Sequence, residues 1–220
     1  MQKGILFLIW LVIMTGTSCN EPVKESRVRV LPYYEEATFT PIWMKEGEEL
    51  SQNFHQIPAF RLQNQSGEWI TEQKFKNKIY VTDFFFTSCP GICPKMTNNM
   101  LVLQEAFEEE SDILLLSHSV TPDHDSIPVL ANYARIKGVK DSKWDLVTGD
   151  RAAIYDLGRN FYFVEEDLGL EKAADDFLHT ENFVLVDQNR HIRGIYNGLN
   201  TTAIQQLIAD VKTLQKEGGN

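Results

Sequence analysis

Two cysteines with three residues between them, Cys89 and Cys93, sit in the run Thr87-Ser88-Cys89-Pro90-Gly91-Ile92-Cys93-Pro94. Residues four apart on a helix, or in a tight turn entering one, share a face, so the two sulfurs can ligate one ion or bond each other. A helix N-terminus carries partial positive charge and unsatisfied N–H groups. Both favour the thiolate, which is the metal ligand and the nucleophile. Pro90 and Pro94 fix φ and remove donors, stiffening the turn. Two soft thiolates suit Cu(I) or Zn(II), but a closed structural zinc site takes four ligands and the chain has no second close cysteine pair. The common disulfide exchanger places two residues between its cysteines, where this chain has three. Spacing leaves metal binding and dithiol–disulfide cycling both open.

The elements that must position this pair are legible on either side of it. Ile79 to Phe86 is almost continuous in β-branched and aromatic residues, as a strand buried on both faces should be. After the cysteines, Met96, Met100, Leu101, Leu103 and Phe107 recur at helical spacing up to Glu108-Glu109-Glu110. Strand, turn and helix therefore meet at the cysteines. Ahead of them, Ile57–Leu62 and Trp69–Thr71 flank Asn64-Gln65-Ser66-Gly67 and read as a hairpin. Behind them follow a buried strand at Ile113–Ser117 and helices at Ile127–Ile136 and Arg151–Leu157. A hairpin of Asn182–Asp187 with His191–Tyr196 and an amphipathic helix through Ala203, Leu207, Ile208, Val211 and Leu214 close the chain. The order predicts an α/β, thioredoxin-like fold: a central mixed β-sheet flanked by helices, with an added N-terminal β-hairpin.

The third cysteine, Cys19, belongs to a different chemistry. Lys3, an apolar run from Gly4 to Met14 and the small residues Thr15-Gly16-Thr17-Ser18 precede it, as in an export signal. The run is too short to span about 30 Å of hydrocarbon, which takes roughly 20 residues. Small residues directly before a cysteine resemble the lipobox of bacterial lipoproteins, which implies lipid attachment at Cys19. The organisation expected is a signal at 1–19, a tether and edge segment at 20–52, part of which packs on the domain, and one domain at 53–220. The 220 residues carry 31 acidic and 21 basic side chains, a formal charge of −10, without a basic run. Nucleic acid is excluded as a partner on that balance.

Four segments, in matching order over roughly residues 55–212, resemble the Sco/SenC family of copper chaperones for cytochrome c oxidase assembly. They are Phe85–Pro94 with its Cys-Pro-x-x-Cys-Pro pattern; Ser119–Asp125 with Val129–Tyr133; Trp144 with Leu146–Gly149; and His179-Thr180 before Phe183–Asp187. Thr121 departs from the pattern, where the family more often has aspartate before the proline. The resemblance implies one copper ion per chain, held by the thiolates of Cys89 and Cys93 and a nitrogen of His179. It also implies delivery to, or thiol preparation of, the binuclear copper centre of an oxidase subunit, from a lipid-anchored position facing the periplasm. A membrane-anchored thiol–disulfide oxidoreductase using Cys89 and Cys93 is the alternative. Of the other histidines, His118 reads as a core residue, His124 as part of a polar turn, and His55 and His191 as surface residues. Met96 and Met100 read as core. Glu108–Glu110 and Glu165–Asp167 read as solvated helix ends.

Overall fold

In the computed structural model, the described residues are 25–45, 47–166 and 176–218. The expected export signal at 1–19 with Cys19, and Asp167, lie outside them. Seven strands form one sheet in the order β2-β1-β5-β4-β3-β6-β7. β3 (Ile79–Phe85), β4 (Ile113–Ser119) and β5 (Trp144–Thr148) run parallel at its centre. The predicted hairpin, β1 (Arg61–Asn64) with β2 (Trp69–Thr71), pairs antiparallel to β5 at one edge. β6 (Asn182–Val186) pairs antiparallel to β3, and β7 (Ile192–Asn197) to β6, completing the other side.

Side chains alternate across a strand, so β3 feeds two cores. Ile79, Val81 and Phe85 face a core shared with α1 (Cys93–Ala106), α2 (Ile127–Lys137) and α4 (Thr201–Gly218). Tyr80 and Phe84 face a second core with Ile57, Phe75, Tyr162 and α3 (Arg151–Asp156), which continues into a π-turn at Leu157–Phe161. Met96 and Met100 are fully buried in the first core, as their spacing predicts. Gly138 ends α2 in the left-handed region (φ 80°), with its N–H donating to Ala134 O at 2.9 Å.

The segment before the domain is more tightly held than a tether with one strand-like stretch. Leu31 is buried in the first core, and Tyr33 and Tyr34 form bridges to Ile42 and Ile192. Arg193 on β7 is the fastener. Its buried guanidinium donates to Leu31 O (2.7 Å), Pro32 O (3.1 Å), Glu217 Oε2 (2.7 Å) and Asp187 Oδ2 (3.3 Å), and lies 3.9 Å over the Tyr33 ring.

Candidate metal centre

α1 begins at Cys93, with Ile92 at its N-cap position, Pro94 in its first turn and no side-chain cap. Pro94 has no N–H, and the N–H groups of Lys95 and Met96 donate to Ile92 O at 3.0 and 3.1 Å, so backbone rather than a side chain closes the first turn beside Cys89. Partial burial opposes ionisation of Cys89. The N–H groups of Cys93, Gly91 and Ile92 together with the Cys93 thiol outweigh it and hold the Cys89 thiol below its ordinary range. A Cβ at Gly91 would stand 3.9 Å from the sulfur, in ordinary contact, which places the turn directly beside it. Cys93 is the buried partner, and burial together with the neighbouring Cys89 sulfur pushes its thiol up to about 12, although the Phe86 N–H works against that rise. Both cysteines are free thiols. The pair is thus one half-buried sulfur poised to ionise beside one buried sulfur that holds its proton.

His179 lies on the segment entering β6, and its ring is exposed. Its neighbours fix that segment against the strand that ends at the cysteine turn. Phe177 meets Phe86 edge-on at 5.4 Å, three residues before Cys89. Leu178 is buried and packs beside Phe84 where Gly158 leaves room, since a Cβ at Gly158 would come within 2.9 Å of both side chains. The Thr180 hydroxyl donates to Val164 O at 2.5 Å and accepts from Asn182 N–H at 3.0 Å. The structure brings Cys89 and Cys93 together and presents His179 from a neighbouring segment. Among the described residues, no three His, Cys, Asp or Glu side chains converge closely enough to hold one ion.

The remaining candidates sort by burial. His118 is a core residue: its ring stacks on Phe84 at 4.6 Å, Nδ1 meets Thr82 Oγ1 at 3.1 Å, and burial holds it neutral with a pKa of about 3. His55 and His191 are half-buried rather than surface residues. A ring nitrogen of His55 meets Phe161 O at 2.8 Å, and one of His191 meets His55 O at 2.8 Å. Aromatic neighbours, Phe163 for His55 and Phe54 for His191, supply burial that a polar local sequence conceals. Of the acidic runs, Glu108 and Glu109 are exposed at the end of α1, with Glu108 in a surface pair with Lys140, as a solvated helix end should be, whereas Glu165 is part-buried against Arg159.

Two carboxylates near the cysteines escape sequence reasoning. Asp83, on the β3 face that carries Phe85, accepts from the Ser117 hydroxyl, which in turn accepts from Trp144 Nε1 at 2.8 Å; burial pushes Asp83 up to about 7. A lone carboxylate inside the apolar run Ile79–Phe86 was the available signal. Asp125, in the polar Asp123-His124-Asp125 turn, is fully buried.

The SCO1/SenC family model matches residues 48–216. A SCO1/SenC family lipoprotein from Bacillus anthracis is similar in structure, at 31% identity and a TM-score of 0.64, over 73% of this chain and 95% of that one. BsSco, described as a member of the Sco family of cytochrome c oxidase assembly proteins with a disulfide switch, is 29% identical. It has a TM-score of 0.63 and covers 74% of this chain and 94% of its own. The copper-bound structure of Bradyrhizobium japonicum ScoI shares the fold at 22% identity, with a TM-score of 0.55 over 71% of this chain and 98% of that one.

Proposed function

We propose that this chain, which belongs to the SCO1/SenC family, binds one copper ion through Cys89, Cys93 and His179 for the binuclear copper centre of cytochrome c oxidase. Membership supports a copper-related part in oxidase assembly. The observation that carries the copper reading is the donor set: a thiol biased toward thiolate, a second thiol beside it, and an accessible imidazole on a segment braced against Phe84 and Phe86. Soft sulfur donors with one nitrogen suit copper in either oxidation state. Copper is cargo here, and Cys93 must lose its proton when it becomes a ligand, so binding releases protons. The recipient is the copper-site subunit of the oxidase, reached from a lipid anchor at Cys19 on the periplasmic side of a bacterial membrane.

The test is copper titration of the full chain, reduced and in detergent, with Cys89→Ser, Cys93→Ser and His179→Ala beside it. The expected result is one copper per chain with sulfur-to-Cu(II) charge-transfer absorption, abolished in both cysteine variants and weakened or shifted in His179→Ala. Copper affinity indifferent to His179→Ala removes the histidine from the ligand set.

The unequal thiols favour a second reading, reduction of a partner's disulfide. The Cys89 thiolate attacks one sulfur of that disulfide, forming a mixed disulfide and releasing a partner thiolate. The Cys93 thiolate, formed as its proton leaves, then displaces the second partner sulfur and closes the Cys89–Cys93 disulfide. Two electrons have passed to the partner, and an external dithiol must restore the chain. A reduced chain that takes no tight copper but cycles readily against such a dithiol supports this reading over the first.

A further inference from the structure

The parallel ladder between β3 and β4 runs out at Phe85 opposite Ser119, where Val120 N–H donates to Phe85 O at 2.9 Å. Eight residues later α1 begins, and the turn between must carry the Cys89 sulfur to its N-terminus. Asp125 takes up the connection where the ladder ends. Its Oδ1 accepts from Thr87 Oγ1 (2.5 Å) and His124 Nδ1 (3.0 Å), while Oδ2 accepts from Thr87 N–H (3.1 Å), Ser119 Oγ (2.6 Å) and Thr121 Oγ1 (3.1 Å). Two donors come from a residue two positions before Cys89, and three from β4 and the loop that leads to α2. A carboxylate offers about four lone-pair sites, so this one is saturated.

A buried charge is a weak way to gain stability, because apolar side chains of similar volume do as well or better. It is a strong way to fix geometry, since charge-assisted bonds are short and directional. We propose that Asp125 is a positioning residue for Cys89: by clamping Thr87 to the β4–α2 loop, it sets the turn that holds the Cys89 sulfur at the N-terminus of α1. The proposal rests on Cys89 and Cys93 being the working pair, whichever of the two functions above they serve.

Thr87 gives the cleanest test because its variants leave the Asp125 charge in place. The measurement is the dithiol–disulfide equilibrium of the full chain against glutathione, with urea unfolding of each variant alongside. Thr87→Val removes one hydroxyl donor and should move the equilibrium about tenfold toward the disulfide, since the reduced Cys89 sulfur is no longer held at the N-terminus of α1, where partial positive charge favours the thiolate. Thr87→Ser keeps the donor and should return the constant to within about twofold of wild type. Thr121→Val removes a donor to the same carboxylate on the far side of the clamp. It should cost comparable stability and leave the equilibrium unchanged. An unchanged constant in Thr87→Val, an equal shift in Thr121→Val, or a dithiol that no glutathione ratio oxidises overturns the proposal. Copper titration of the same samples separates the two ideas: no copper in wild type with these shifts intact removes the copper reading and leaves the clamp.

Discussion

At the scale of single residues, the two sulfurs differ in burial and in what donates to them, and the difference has a direct chemical readout. Cys89 is half-buried and offered N–H groups from the start of α1, whereas Cys93 is buried with its thiol raised to about 12. Nucleophilic reactivity follows the thiolate fraction and access. Brief iodoacetamide treatment of the reduced native chain near pH 7 should therefore label Cys89 at least about tenfold faster than Cys93. Peptide mass spectrometry reads the ratio, and equal labelling would mean that the N–H cradle does not act on the sulfur. The spacing of the cysteines and their place between strand and helix were legible in the sequence. Which of the two ionises was not, because the answer depends on Cys93 being buried in the core under α1 while Cys89 stays half-exposed at its N-terminus. Asp125 was hidden for a related reason. Its donors at Thr87 and Ser119 are reached across the ends of two strands, so the polar turn gives no local sign of burial.

Elements brace the site from two directions, and each brace turns on one residue. Gly158, in the π-turn after α3, leaves the space that Leu178 and Phe84 fill. Gly158→Ala forces one of them to move, at a cost of about 1–3 kcal/mol, the usual range for overpacking. Because Leu178 precedes His179, copper affinity should weaken more in this variant than in a core variant of equal stability remote from the segment. Urea unfolding and copper titration of the same samples make the comparison. Arg193 fastens residues 31–33 to β7 and to the end of α4 through Glu217. Arg193→Ala strands Asp187 and Glu217 beside each other's charge and should destabilise the chain by about 3–5 kcal/mol, the range for breaking a buried pair from one side. Limited proteolysis should then cut near Leu31 first, and uniform digestion would place the fastener elsewhere. Most elements were legible from periodicity, among them β3, α1, β4, α2, the β6–β7 hairpin and α4. β5 was not assigned as a strand, since its five residues Trp144–Thr148 carry an aspartate at the second position and gain their burial from β1 and β4. The hold on residues 31–34 was also invisible, because it depends on an arginine some 160 residues later in the chain, which Leu31 O meets at a separation of 162.

For the whole molecule, two buried groups on opposite faces of the same strand pair give its stability opposing responses to pH. Asp83 binds its proton more tightly in the folded chain, with a pKa raised from 3.8 to about 7 by burial against its Ser117 hydrogen bond. Between about pH 4 and 7 the folded state therefore holds a proton that the unfolded state releases, and stability falls as pH rises through that window. His118 does the reverse. Burial lowers it from 6.5 to about 3, so between about pH 6.5 and 3 the unfolded state takes up a proton that the folded state refuses, and stability falls as pH drops. The windows overlap from about pH 4 to 6.5, where the two slopes oppose each other and this pair leaves the wild type nearly flat. Removing one group should expose the other. Asp83→Asn should show stability rising with pH across the overlap, and His118→Leu should show it falling, each by an amount on the order of 1 kcal/mol per pH unit. Urea unfolding of the apo, reduced chain at half-unit intervals from pH 4.5 to 6.5 makes the measurement. If both variants give the same sign of slope, one of the two buried groups does not titrate as its surroundings dictate. The pairing also bears on the site, because Asp83 lies on the side of the sheet that carries Cys93, and its charge opposes ionisation of that thiol. Near neutral pH a protonated Asp83 therefore eases the deprotonation of Cys93 that copper binding or disulfide closure requires.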